Sequence, residues 1–324
     1  MRTSNSQPTI SIAMATFDGE QFIWDQLRSI EQQTVFPNEL VVCDDGSSDR
    51  TVKILAEFKR QAPFPVRILV NDETLGSTRN FDKAIRQCRN DVITLCDQDD
   101  VWCEHKLQRI KEAFLNHPRI VGAFSDARLI DERGQVLKKS LWRSVGATAK
   151  VRRQLGKGGH RAFQTLLRRT VITGAVFAFQ KDAYDLVGEI PSSWVHDAWI
   201  AINIIRQGSI YAIPEALVGY RQHESNQIGV REETVTARLS NMQFLESAQQ
   251  RAECLKDYLE KTNADKPYFR ESAQKVKHLK RRKVAERSCV AAISELATLR
   301  YFKYSGGWTS FGKDFVWSLR HLAS

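Results

Sequence analysis

The feature that most restricts the fold is an alternation within the first hundred residues. Four short runs rich in apolar and β-branched side chains, Thr9 to Met14, Leu40 to Cys43, Val66 to Val70 and Val92 to Cys96, are separated by three segments of helical period. Those segments are Gln21 to Gln33, about Arg50 to Lys59, and Asn80 to Cys88. Strand–helix–strand repeats of this length close as right-handed crossovers, so the pattern predicts an α/β chain with a Rossmann-like, mostly parallel central sheet flanked by helices. In such a sheet the carboxyl ends of the strands gather at one edge, where ligands bind.

Two of these strand ends carry clustered acids. The fourth run ends in Asp97-Gln98-Asp99-Asp100. One carboxylate suffices to cap a helix starting near Trp102, whereas three within four residues repel one another unless a cation or donors intervene. A hard cation held for a phosphate-bearing ligand answers that repulsion. The second run ends in Asp44-Asp45-Gly46-Ser47. Gly46 makes the turn and Ser48 or Asp49 caps the next helix, which leaves an acid able to accept a pyrimidine imide N–H or a ribose hydroxyl. Neither G-x-G-x-x-G nor G-x-x-x-x-G-K-[ST] occurs, so a dinucleotide fold and a phosphate-loop ATPase are unsupported.

Further along, Ile120 to Ser125 reads as a strand followed by a hairpin or loop with Arg133-Gly134 at its tip, and residues 138–161 read as a mobile loop beside a site. Thr173 to Phe179 reads as a strand, and Ser209 to Ile213 and Leu217 to Tyr220 as two short ones leading into Arg221-Gln222-His223. His196-Asp197 opens an apolar helix, where Asp197 serves either as a cap or as an acid with chemistry to do. Trp194 and Trp199 flank it, either as rings that stack on sugars or, for Trp199, as core. His223 is a candidate to complete an Asp-containing metal shell.

The charge is uneven. Of the net +10, +7 falls from Arg231 onward, where 18 Lys and Arg face 11 Asp and Glu and only helices are expected, at roughly 233–261, 270–300 and 310–322. Within that tail, KVKHLKRRK suits a helix face on anionic lipid better than it suits nucleic acid. The six cysteines show no C-x-x-C pair, the N-terminus is polar, and no apolar run approaches the roughly 18 residues needed to span a bilayer. The expected setting is cytoplasmic, with the tail as the element able to reach the inner face of the membrane.

Together these motifs resemble family 2 glycosyltransferases, which are inverting, nucleotide-sugar-dependent and of the fold called GT-A. The chain is most similar to their rhamnosyltransferase-like subgroup of bacterial polysaccharide synthesis. The resemblance covers about residues 9–228 and rests on six motifs in order: ISIAMATFDGEQFIWDQLRSIEQQT, ELVVCDDGSSDRT, LGSTRNFDKAI, LCDQDDVW, WVHDAW and YRQHESNQIG. It implies a nucleotide-sugar-binding half at 1–100, an acceptor-binding half at 101–230 and a basic helical extension at 231–324. Ala15 and Phe17 would line the nucleoside pocket, Asp45 would bind the base, Arg79 would lie near the base or diphosphate, and Asp97 would face the ribose and donor sugar. Asp99, with His223, would hold Mn²⁺ or Mg²⁺, Asp197 would be the catalytic base, and Trp194, His196 and Trp199 would meet the acceptor. The implied donor is dTDP-rhamnose or a UDP-hexose, and the implied acceptor a glycan or lipid-linked glycan. Ala15, Phe17 and Asp18 replace the proline, tyrosine and asparagine common in the wider family, which leaves the nucleotide open. Two rival readings are a haloacid-dehalogenase-like phosphatase, from Asp97-x-Asp99-x-Val101, and a non-catalytic sugar- or nucleic-acid-binding protein.

Overall fold

The four apolar runs become the parallel half of a single sheet. The computed structural model describes residues 7–223, 241–285, 288–306 and 308–322. In chain order, β1 (Ile10–Thr16), α1 (Ile23–Glu31), β2 (Glu39–Asp44), α2 (Thr51–Gln61), β3 (Val66–Val70), α3 (Ser77–Gln87) and β4 (Val92–Cys96) follow the predicted alternation. They are followed by β5 (Val101–Trp102), α4 (Lys106–Asn116), β6 (Ile120–Ile130), β7 (Val136–Ser140), α5 (Leu141–Val145), α6 (Ala149–Lys157) and α7 (Gly159–Arg168). Next come β8 (Phe177–Gln180), α8 (Lys181–Asp185), α9 (His196–Ile204) and β9 (Ser209–Arg221).

Among the described residues these strands lie in the order β3-β2-β1-β4-β8-β6-β9-β5, with β7 paired to β6. The first four are mutually parallel. β8 runs antiparallel to both β4 and β6, and β9 pairs parallel with β6. Successive crossovers run outward from β1 to β2 on one side and return to β4 on the other, so the chain reverses direction at β1, where α/β sheets open a ligand crevice. β2 and β4 are buried along their whole length, as expected for central strands covered on both faces. The charge at the start of β2 is met by donors: Glu39 accepts from the Ser11 hydroxyl at 2.6 Å, the Arg89 amide at 2.7 Å and Arg67 at 3.1 Å.

Three local expectations are corrected. Residues 138–161 are not a loop: they finish β7 and form α5, α6 and the start of α7. The Ser140 and Thr148 hydroxyls cap α5 and α6, and Leu141, Trp142, Val151 and Leu155 are buried beneath them. The strand expected from Thr173 starts only at Phe177, because Gly174–Val176 form a 3₁₀ turn. The two short strands at 209–220 are one, β9. Its pairing with β6 slips between Ile213 and Ala216, which lets Pro214, with no N–H to give, sit in a bulge.

The chain divides into two compact units, one made of residues up to Gly159 and from Val171 through β9, the other of His160–Thr170 and the C-terminal helices. The second unit thus recruits most of α7 from the middle of the chain to α10 (Asn241–Lys261), α11 (Lys266–Ala285), α12 (Cys289–Ala297), α13 (Arg300–Tyr304) and α14 (Trp308–Leu322). The expected helical stretch at 233–240 lies outside the described residues. Leu245, Ala252, Val276 and Leu279 form an apolar seam in this unit. Four cations of KVKHLKRRK pair within the unit: Lys280 with Glu253, Arg281 with Glu295, Arg282 with Asp314 and Lys283 with Glu246. The run is therefore largely an interhelical fastener rather than a bare cationic face. No helix among the described residues is long and apolar enough to cross a membrane.

Candidate active site

The three acids after β4 take three different environments, and none caps α4. The α4 N-terminus is satisfied by Gln33, whose side chain accepts from the Leu107 amide at 3.0 Å and donates to the Cys103 carbonyl at 2.8 Å. Asp99 Oδ2 lies 2.8 Å from His223 Nε2, so residues 124 apart in sequence meet as a carboxylate–imidazole pair. Asp100 is wholly buried; its Oδ1 accepts from the Arg221 amide at 3.0 Å, and its Oδ2 has no hydrogen-bond partner among the described residues. Arg221 fastens the end of β9 to this loop through the Asp99 carbonyl at 2.7 Å, the Glu132 carbonyl at 2.8 Å and Asp25 at 3.2 Å.

Burial pushes the Asp97 carboxyl up to about 7, aided by the charges of Asp99 and Asp197. Burial, then Asp99 and Asp97, push Asp100 well above the usual carboxylate range. Besides Arg221, a second buried cation lies beside this cluster, Lys106, absent from the sequence reading. Its ammonium donates to the Ala175 carbonyl at 2.9 Å and sits 3.4 Å from the centre of the Trp102 ring. Desolvation lowers Lys106 to about 7 against the opposing pull of Cys96, Asp100 and Asp97. A lysine in an otherwise helical segment reads as surface, so only the fold reveals it.

On the β1 and β2 side, Gln98 was also missed. Its carboxamide accepts from the Phe17 amide at 2.8 Å and donates to the Phe17 carbonyl at 2.9 Å, tying the loop after β1 to the acid loop. Gly19 makes room for it, because a Cβ there would lie 2.3 Å from Gln98 Oε1. Ala15 is half-buried and Phe17 exposed at this rim. Asp45 is buried and orders the 71–76 loop, accepting from Asn71 at 2.7 Å and from the Leu75 and Gly76 amides at 2.8 Å each. Arg79 stands exposed on the first turns of α3.

At the start of α9, Asp197 Oδ2 accepts from the Gly174 amide at 2.8 Å and Oδ1 from the Ala198 amide. Burial raises it to about 6, partly countered by those donors. A Cβ on residue 174 would stand 3.1 Å from His196 Nε2 and 3.8 Å from Asp197 Oδ2, so the glycine keeps the turn against α9. His196 stacks on Phe81 with ring centres 4.1 Å apart, is buried, and has both ring nitrogens without partners among the described residues; burial drives it down to about 3, leaving it neutral. Trp194 is half-buried and meets Trp199 edge-on at 5.3 Å. Trp199 itself is 0% exposed, which corrects its expected place against an acceptor: it is the core backing for Trp194.

No three His, Cys, Asp or Glu side chains among the described residues converge as a ready-made metal cage. The Asp99–His223 pair, beside a buried carboxylate oxygen with no donor, nonetheless has the donor chemistry for a divalent cation that takes its remaining ligands from a diphosphate.

The model of the family described as Glycosyl transferase family 2 matches residues 11–185. The uncharacterized protein Rv1520 of Mycobacterium tuberculosis is 28% identical over 218 residues, 66% of this chain and 59% of that protein. The dTDP-rhamnosyl transferase RfbG of Shigella flexneri is 26% identical over 226 residues, 67% of this chain and 73% of that protein. The match therefore spans less than two thirds of the mycobacterial relative's length. Among solved structures, the mannosyltransferase PcManGT from Pyrobaculum calidifontis, in complex with GDP-Man and Mn²⁺, superposes with a TM-score of 0.55 at 16% identity, covering 98% of this chain and 88% of that one. TarS 1–349 of S. aureus with UDP-GlcNAc gives 0.54 at 17% identity, covering 75% of this chain and 65% of that one. These likenesses show the fold expected from the sequence, GT-A, with helices following it.

Proposed function

The chain belongs to glycosyltransferase family 2, and from that premise we propose that it transfers a sugar, with inversion, from a nucleoside-diphosphate donor to a hydroxyl of a growing polysaccharide or lipid-linked glycan. The observation that carries this reading is the meeting of two separate acidic elements. The Gly174 turn that binds Asp197 packs on β4, the strand that runs into the Asp97–Asp100 loop: a Cβ on residue 174 would lie 3.7 Å from the Leu95 side chain and 3.8 Å from Asp197 Oδ2, and the Asp197 charge helps to raise Asp97. An in-line displacement at an anomeric carbon needs just these two parts, a proton acceptor for the incoming hydroxyl and a means of neutralising the leaving diphosphate.

In this reading Asp197 takes the acceptor hydroxyl proton as the new C–O bond forms and the bond to the diphosphate breaks. Its two backbone donors fix the carboxylate's direction, and burial gives it a basicity suited to neutral pH. Asp97 faces the ribose and donor sugar. Asp45, by ordering the 71–76 loop, shapes the nucleoside pocket with Ala15, Phe17 and Arg79. Trp194, backed by Trp199, offers a ring face to the acceptor. Asp99 and His223 would hold Mn²⁺ or Mg²⁺, which when bound supplies the positive charge that stabilises the departing diphosphate. The name of the Shigella flexneri relative favours dTDP-rhamnose as the first donor to test. The phosphatase alternative, which needs the D-x-D pair on the first strand of its fold, finds it here on the fourth.

Two results are expected. Asp197, raised to about 6 and active only when ionised, gives kcat/KM that climbs as pH rises through about 6 and levels above about 7; a pH–rate series checks this. Gln98→Ala removes both ties to Phe17, and donor KM should rise about fivefold, the equivalent of roughly 1 kcal/mol for exposed bonds, with kcat changing less. Steady-state kinetics with donor varied reads it, and an unchanged KM would remove Gln98 from the account.

A further inference from the structure

Resting on the reading above, we infer that buried Lys106 is a positioning residue for Asp197, acting through the Gly174–Val176 turn. The turn is held from both sides. Lys106 Nζ donates to the Ala175 carbonyl at 2.9 Å, and the adjoining Gly174 amide donates to Asp197 Oδ2 at 2.8 Å. The two bonds fall on separate peptides, two apart, of one three-residue 3₁₀ turn that is closed by the Val176 amide on the Thr173 carbonyl, so the lysine's hold on the Ala175 carbonyl fixes the turn whose first amide aims the base. The Ala175 carbonyl lies in the turn before β8 begins at Phe177. Lys106 is itself fixed by the α4 N-terminus: its amide donates to the Cys103 carbonyl at 3.0 Å, Gln33 secures the next amide, and Trp102 covers the ammonium. A buried cation is costly and is kept where its loss would misplace something. Here it also lies beside Asp97 and Asp100, so one residue links the loop assigned to the donor with the turn that directs the base. The ionisable groups around Asp197 include Asp97, His196, Tyr220 on β9 and, through the turn, Lys106.

The test is a double-mutant cycle of Lys106→Met with Asp197→Asn, read by kcat, donor KM and pH profile. Lys106→Met alone should lower kcat about tenfold or more, hold donor KM within about twofold, and move the acidic limb upward as the base loses an oriented donor. On the Asp197→Asn background the same substitution should cost little further, since the group it positions is gone. Lys106→Arg, which keeps a cation and a donor, should show the same signs at smaller size, so either variant that folds suffices. Equal fold losses in both backgrounds, or an unmoved limb, would reduce Lys106 to packing. Full activity in Asp197→Asn itself would overturn the base assignment and the lysine's positioning role with it, whereas equal losses in both backgrounds overturn the lysine's role alone, so the two failures are distinct.

Discussion

Asp197→Asn should lower kcat by about 10² to 10⁴ while leaving donor affinity within about twofold. The amide is nearly the same size and can keep one backbone donor, but it cannot take the acceptor proton. It also forfeits one of the two carboxylate acceptors, Oδ2 for the Gly174 amide or Oδ1 for the Ala198 amide. Loss of kcat with unchanged donor binding separates a base from a residue that merely holds the donor. The acidic limb near 6 should vanish in the variant, because the titrating group has been removed. Near-normal turnover by Asp197→Asn would show that another group accepts the proton.

The second large effect concerns stability in the helical unit. Arg282 and Asp314 form a bidentate pair, both bonds at 2.7 Å, with exposures of 3% and 0%. The Tyr301 hydroxyl adds a third donor to Asp314 at 2.7 Å. Around it, His278 joins Glu295 at 2.9 Å and Ser305 at 2.8 Å, so the unit holds a buried polar network as well as its apolar seam. Removing one member of such a pair strands the other charge. Arg282→Met should therefore cost about 3 to 5 kcal/mol in urea unfolding, whereas replacing both partners with apolar residues of similar volume should restore much of it. If Arg282→Met melted like the parent, the pair would be ornamental to stability.

How far the sequence revealed this molecule differs by element. The sheet's parallel half was legible because β1, β2 and β4 are mostly apolar and buried on both faces, edge strand β3 is β-branched and apolar but for Arg67, and their helices are short and amphipathic, so local pattern and tertiary burial agree. Residues 138–161 misled because Lys, Arg and Gly mask a few anchoring side chains: Leu141, Trp142, Val151 and Leu155 are spaced over short capped helices, too brief to raise a strong period. The acids at 97, 99 and 100 announced a site and His223 was legible as a candidate beside them, but the other residues that order the loop were not. The Arg221 amide on Asp100, the Gln98 ties to Phe17 and the buried Lys106 depend on how β9, β1 and α4 converge. Trp199 read equally as core or as wall from its neighbours, and its complete burial decides for core.

The most direct measurement is calorimetric titration of the purified protein with dTDP-rhamnose, UDP-glucose, UDP-galactose, UDP-N-acetylglucosamine and GDP-mannose. Each donor is run with Mn²⁺ and with chelator, on the parent and on Asp99→Ala. One donor should bind with Mn²⁺ and lose that binding both on chelation and in Asp99→Ala. Binding of a donor that is indifferent to metal and to Asp99, or binding of none of them, would contradict a metal-assisted transfer site at the end of β4.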